Sequence, residues 1–270
     1  MRERNYFVGL VVIFCTTLSG ANAATAPADG RAQYEHCLSR AATSPKDALS
    51  EALEWQKVGG GPASDHCLAV ALVGLHRYGE AATKLDALAH GGFASDPSMR
   101  AALFDQAGNA WLLAGRADNA IGSFTAALAI DPSDADILAD RARASAVQAN
   151  WARADSDLSA ALLVDPSRAD LLVLRGSARH ALGRKADARA DIDQALALRP
   201  AYADALVERG TMKFEAGDLA GARSDWNAAI SASPGSAAAG EARQHLADTV
   251  RQPPSSSKSA AGAAKPAKPH

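Results

Sequence analysis

Apolar residues recur along most of this chain with a helical period, and the recurrence itself repeats. Pro132, Pro166, Pro200 and Pro234 are each separated by 34 residues. Placing each proline at position 32 of a unit gives 101–134, 135–168, 169–202 and 203–236. Position 4 then holds Phe104, Leu138, Leu172 and Leu206, and position 24 holds Phe124, Leu158, Ile192 and Trp226. Position 8 is always small: Gly108, Ala142, Gly176 and Gly210. Alanine fills position 20 (Ala120, Ala154, Ala188, Ala222) and position 27 (Ala127, Ala161, Ala195, Ala229). The i, i+4, i+7 spacing of 20, 24 and 27 predicts one helix, and positions 4 and 8 predict another before it. Gly115, Gly183 and Gly217, with Ala149 in the remaining unit, divide the two helices, and proline stops the second. Each unit therefore reads as a helix hairpin. Small residues at 8 and 20 let the backbones approach, while large ones at 4 and 24 fill the space beside them.

This five-position register, held over four units, resembles the tetratricopeptide repeat family. The resemblance implies an all-α fold, an α-solenoid of helix hairpins forming a right-handed superhelix over 101–236. It extends upstream through 31–96 in weaker form. Tyr78-Gly79-Glu80-Ala81-Ala82 through Leu85 and Leu88 is similar to a second helix, with Cys67 to Leu75 as its shortened first helix. Residues 31–43 and 46–57 resemble a further degenerate hairpin, ended by Gly59-Gly60-Gly61-Pro62. Residues 237–251 are expected to cap the stack.

The resemblance also implies a concave groove lined by the first helices. Carried over position by position, it includes Asp105, Asn109, Arg143, Val173, Ser177, His180, Val207, Thr211 and Phe214, together with Leu112, Asp136, Asp170, Asp204 and Glu215. Five carboxylates against one arginine make this surface mildly acidic with apolar spots. Relatives that clamp a peptide's terminal carboxylate use Lys and Asn here; this chain has Asn109 but Asp105 where a lysine is wanted. The implied ligand is a neutral or basic segment of a partner protein or peptide. A merely solvated face is the alternative.

Charge enters the repeat at two further positions. Position 7 is Arg141, Arg175 and Arg209, and position 23 is Asp157, Asp191 and Asp225 in the same three units. The first unit has Ala107 and Ser123 instead. Charges that come and go together predict structural ion pairs within each unit. The alternative is an arginine ladder for an anionic ligand.

Composition narrows the rest. Of the chain's 270 residues, 48% are hydrophobic, and 65 are alanine, which favours helix over strand. Arg2 and Arg4, the apolar run Phe7 to Leu18, and Ala21-Asn22-Ala23 read as a signal peptide over 1–23, with a short linker over 24–30. A run of twelve residues is too short to span a bilayer. Export to the periplasm is expected, with secretion as the alternative, and no membrane span remains after cleavage. From Gln252 the Pro, Ser, Ala and Lys residues read as a disordered tail. Residues 24–251 carry 23 Lys+Arg against 29 Asp+Glu, a balance of −6, which argues against nucleic acid as a partner.

Export leaves Cys37 and Cys67, each in a His-Cys-Leu string. In an oxidising compartment they read as one disulfide. Free buried thiols and a metal or redox use with His36 and His66 are the alternatives. No phosphate-binding glycine loop, zinc pattern or nucleophile elbow is present, and the carboxylates recur with the repeat. The expectation is a non-catalytic, cofactor-free and metal-free exported scaffold. An envelope-assembly factor acting through its tail on an anionic polymer, or a thiol-redox protein, are the competing readings.

Overall fold

The computed structural model describes residues 28–93 and 96–251. The signal segment 1–23, most of the linker and the tail from 252 fall outside the described residues. Among the described residues there are thirteen α-helices and no strand. None of these helices is long and apolar enough to cross a membrane. The chain divides into two compact units, 1–198 and 199–270.

The first unit contains α1 (Ala28–Thr43), α2 (Pro45–Lys57), α3 (Gly61–Gly74), α4 (Tyr78–His90), α5 (Pro97–Leu113), α6 (Ala117–Leu128), α7 (Ala135–Val147), α8 (Trp151–Val164), α9 (Ala169–Ala181) and α10 (Lys185–Leu198). Within this unit consecutive helices pack on one another, and α1 also packs on α3. The result is a row of hairpins sharing one core between neighbours. The second unit contains α11 (Ala203–Glu215), α12 (Leu219–Ala232) and α13 (Ala237–Arg251), with α13 packed against both of the others.

The small residue at position 8 faces the large one at position 24. A Cβ added to Gly108 would lie 2.5 Å from the Phe124 ring, and one on Gly210 would lie 2.6 Å from the Trp226 indole. The equivalent atom on Gly176 would meet Ile192 at 2.8 Å. In the remaining unit the smaller Leu158 stands with Ala142, both fully buried. Position 8 therefore does more than let two backbones approach: it holds the side chain from position 24.

The hairpin turns require a left-handed backbone. Gly115 supplies it at φ 72°, whereas Ala149 adopts φ 56° with a Cβ attached. Aspartates and an asparagine mark several helix starts. Asp134 accepts from the backbone of Asp136 and Ile137, Asn150 from Arg153 and Asp218 from Gly221.

One boundary differs from expectation. The first helix of the upstream hairpin is not a short Cys67–Leu75 segment but the full α3, Gly61–Gly74. The Gly61-Pro62 pair, read as a terminator, starts it, because proline lacks a donor that the first turn does not need. This longer helix sets Cys67 opposite Cys37 on α1. Both residues are fully buried and their Cα atoms are 6.0 Å apart, a separation that suits a disulfide.

Candidate functional site

The position 7 arginines are occupied within their own hairpins. Arg175 reaches Asp191 with Nε at 3.0 Å and Nη2 at 2.7 Å, and Arg141 grips Asp157 at 2.9 and 2.7 Å. In the second unit Arg209 holds Asp225 at 2.9 and 2.8 Å. The aspartate side chains are only 8%, 4% and 6% exposed for Asp157, Asp191 and Asp225. The third guanidinium nitrogen turns to the preceding hairpin, Arg141 to Thr125 at 3.3 Å and Arg175 to Ser159 at 3.5 Å.

The pairs are parts of larger networks. Asp191 also accepts from Arg179, which holds Asp155 together with Arg184. Lys213 adds to Asp225 at 2.8 Å. Burial works against the charge of Asp225, but hydrogen bonds from Arg209 and Lys213 hold its pKa below the ordinary carboxylate value. In the unit lacking both charges the polarity is exchanged. Ser123 donates to Asp86 of the preceding hairpin at 2.9 Å, and the Trp111 indole donates to the same carboxylate at 2.6 Å. Arginines held this way are not placed as a ladder for an anion.

A different arrangement lies between α5 and α7. Asn109 donates to Asp105 on its own helix at 3.3 Å and to Asp140 on α7 at 2.9 Å. Arg143 pairs with Asp140 one turn on. Among the described residues Asp105 has no cationic partner. Burial first, then the fields of Asp140, Asp134 and Asp136, push its pKa up to about 8, against which the Asn109 hydrogen bond works. Burial also raises Asp140, with Arg143 and Asn109 opposing.

Next along, Arg168 bridges Asp136 at 2.9 Å and Asp170 at 2.7 Å. Burial pushes Asp170 up, but the Arg168 hydrogen bonds and charge leave it below the ordinary value. The α5–α7 seam thus holds more carboxyl groups than cations.

The remaining groove candidates divide. Ser177 and His180 on α9 are half-buried. Val173 is buried at 6% exposure, so it serves packing. In the second unit Val207 and Thr211 are buried as well. The Thr211 hydroxyl lacks a hydrogen-bond partner among the described residues. Its i−4 carbonyl, on Val207, instead accepts from the Trp226 indole at 3.3 Å. Phe214 is half-buried with its ring 5.9 Å from Trp226, which stacks on His245 at 5.0 Å. Asp140 and Arg168, central to the acidic seam, are not marked by the repeat register. The visible signal for Asp140 is its position one turn after Asp136.

Among the described residues no three His, Cys, Asp or Glu side chains are grouped to hold a metal ion.

The profile of the tetratricopeptide repeat family matches residues 68–135, 139–201 and 181–237. The match thus takes in part of α3 and the whole of α4, upstream of the four regular units. Among solved structures the chain is similar to a thermophilic TPR protein in Thermus thermophilus, at 21% identity and a TM-score of 0.55, over 71% of this chain and 100% of that one. It is also similar to MamA from Desulfovibrio magneticus RS-1, at 20% identity and a TM-score of 0.54, over 63% of this chain and 93% of that one. Another crystal structure of MamA gives 15% identity and a TM-score of 0.53, over 67% and 97%. None of the curated proteins matches this chain.

Proposed function

Because the chain belongs to the tetratricopeptide repeat family, we propose that it is a non-catalytic scaffold that holds a basic or neutral segment of a partner protein along the α5–α7 seam. The observation that carries this reading is Asp105, a largely buried carboxylate with an asparagine and further carboxylates around it but no cation among the described residues. A lysine or arginine side chain from a partner would supply the missing charge. A bound cation would also favour the ionised form of Asp105 over the protonated one. Acidic partners are disfavoured, because the arginines at position 7 are already paired.

Export belongs to the same proposal. It rests on the n-region, apolar run and A-x-A string of residues 1–23, and it suits the juxtaposed Cys37 and Cys67, which we assign to one disulfide.

A photo-crosslinking residue at Leu112, half-buried on α5, tests the reading in the native compartment. The account expects capture of a protein segment that is basic or neutral. Capture of acidic segments would contradict it.

A further inference from the structure

We propose that α1 is held on the repeat array by an acid-sensitive latch centred on His66, so that the N-terminal helix loosens when this imidazole takes up a proton. His66 sits on α3 with only 3% of its surface exposed. Both ring nitrogens are used, and they tie together three helices. Nδ1 is 2.5 Å from the Tyr34 hydroxyl on α1, and Nε2 is 3.0 Å from Oε1 of Gln106 on α5.

Since Gln106 Oε1 can only accept, Nε2 carries the proton of the neutral ring and Nδ1 accepts from Tyr34. A second proton would go onto Nδ1. The Tyr34 hydroxyl would then have to give up its role as donor and turn to accept. The resulting imidazolium would be buried, with the Phe93 ring 6.5 Å away and the buried Cys67 next to it in the chain.

The charged groups on the neighbouring elements have other partners: on α2 Lys57 pairs with Glu54, and on α4 Asp86 accepts from Trp111 and Ser123 while His90 bonds the Asp86 carbonyl. On α1, Arg31 pairs with Glu35, His36 with Glu51 of α2, and Arg40 with Asp47 of α2. Asp65, adjacent in sequence, takes Gln56 of α2 and Lys84 of α4, while Arg77 pairs with Glu80 at the start of α4. On α5, Asp105 is turned to Asn109. None of these groups offers the imidazolium a counter-charge. Burial accordingly holds the His66 pKa below the ordinary imidazole value, and the Gln106 hydrogen bond opposes this only in part.

An open form in which His66 reaches water would titrate near the ordinary value of about 6.5. Acid therefore favours that form. The helix released, α1, precedes the part of the chain that matches the repeat family. The Cys37–Cys67 link limits how far α1 can travel, which makes opening larger in the reduced protein.

The test is hydrogen exchange of the chain with its Cys37–Cys67 link intact at pH 7.5 and pH 5.0, corrected for intrinsic rates and read as protection of α1 relative to α8. The expected result is a relative loss of about ten- to thirtyfold in α1 at pH 5.0, the range set by an imidazole with an open-form pKa near 6.5 and a lower closed-form pKa. His66→Gln should remove this pH dependence. Equal loss in α1 and α8, or a pH dependence that survives His66→Gln, would overturn the proposal. Should that variant not fold, NMR titration of the His66 ring in the unmodified chain decides instead. Loosening of α1 must share its midpoint with His66 protonation, and separate midpoints overturn the latch.

Discussion

Asn109 on α5 joins Asp140 on α7 by a 2.9 Å hydrogen bond, and the same amide supports Asp105 at 3.3 Å. One neutral side chain thereby holds two carboxylates from consecutive repeats. The arrangement has a cost, and that cost can be measured.

The folded-state pKa of Asp105, about 8, lies above its ordinary value of 3.8. Between these values the folded chain binds more protons than the unfolded chain, so stability contributed at this site falls as pH rises from about 4 to 8. Asp105→Asn removes the effect. Thermal melts should show the variant and the parent melting together near pH 4. At pH 8 the variant should melt a few degrees higher, on the order of 1–2 kcal/mol. Parallel melting curves at every pH would remove Asp105 as an unbalanced charge.

Arg175 and Asp191 should couple strongly, but not as an isolated pair. Loss of the Arg175 side chain leaves Asp191 with Arg179, at 2.8 Å, so its burial is still partly compensated. Asp191→Ala is expected to cost about 3–5 kcal/mol and Arg175→Ala less, with a coupling energy of about 1–3 kcal/mol in the double-mutant cycle. Urea denaturation gives these values. Additive single effects would mean that the bidentate geometry contributes nothing.

Gly108 has no room for a methyl group, because Phe124 occupies the space. Gly108→Ala should destabilise by about 1–3 kcal/mol. Combining it with Phe124→Leu should recover part of the loss, since this recreates the Ala142 and Leu158 combination of the next unit. If the double variant is as unstable as the sum of the two single ones, positions 8 and 24 do not share their volume.

Ala149 adopts the left-handed conformation that glycine takes at Gly115, Gly183 and Gly217. Ala149→Gly should stabilise the chain by about 0.5–1 kcal/mol, the relief of the Cβ clash exceeding the extra freedom of the unfolded chain. An unchanged or lower urea midpoint would count against strain at this turn.

The hairpins were legible because packing imposes the same size rule every 34 residues. Phe124 demands Gly108 and Trp226 demands Gly210, since a Cβ at either glycine would collide with the ring. Arg and Asp at positions 7 and 23 were legible for a similar reason, since neither can be buried without the other. The inner face was less legible, because the openness of a first-helix position depends on the helix beside it. Val173, Val207 and Thr211 sit at positions that line a groove by analogy, yet they are buried here. Phe214 leans on Trp226 and would disturb the second unit's core if changed, which disqualifies it as a clean probe of binding. Asp140 was hidden for the converse reason, because it meets Asn109 only once α7 packs beside α5. The start of the upstream hairpin was ambiguous at Gly61-Pro62, a string that can end one helix or begin the next.

The most direct measurement of the central claim is the binding of three labelled peptides, alternating alanine with lysine, glutamine or glutamate, followed by fluorescence anisotropy at low and high salt. The lysine peptide should bind, should weaken as salt is raised, and should lose at least about tenfold in affinity on Asp105→Asn with Asp140→Asn, variants that leave the hydrogen-bonding shape of the seam in place. Binding of the glutamate peptide as tightly as the lysine one, or lysine-peptide binding untouched by the double substitution, would contradict the account.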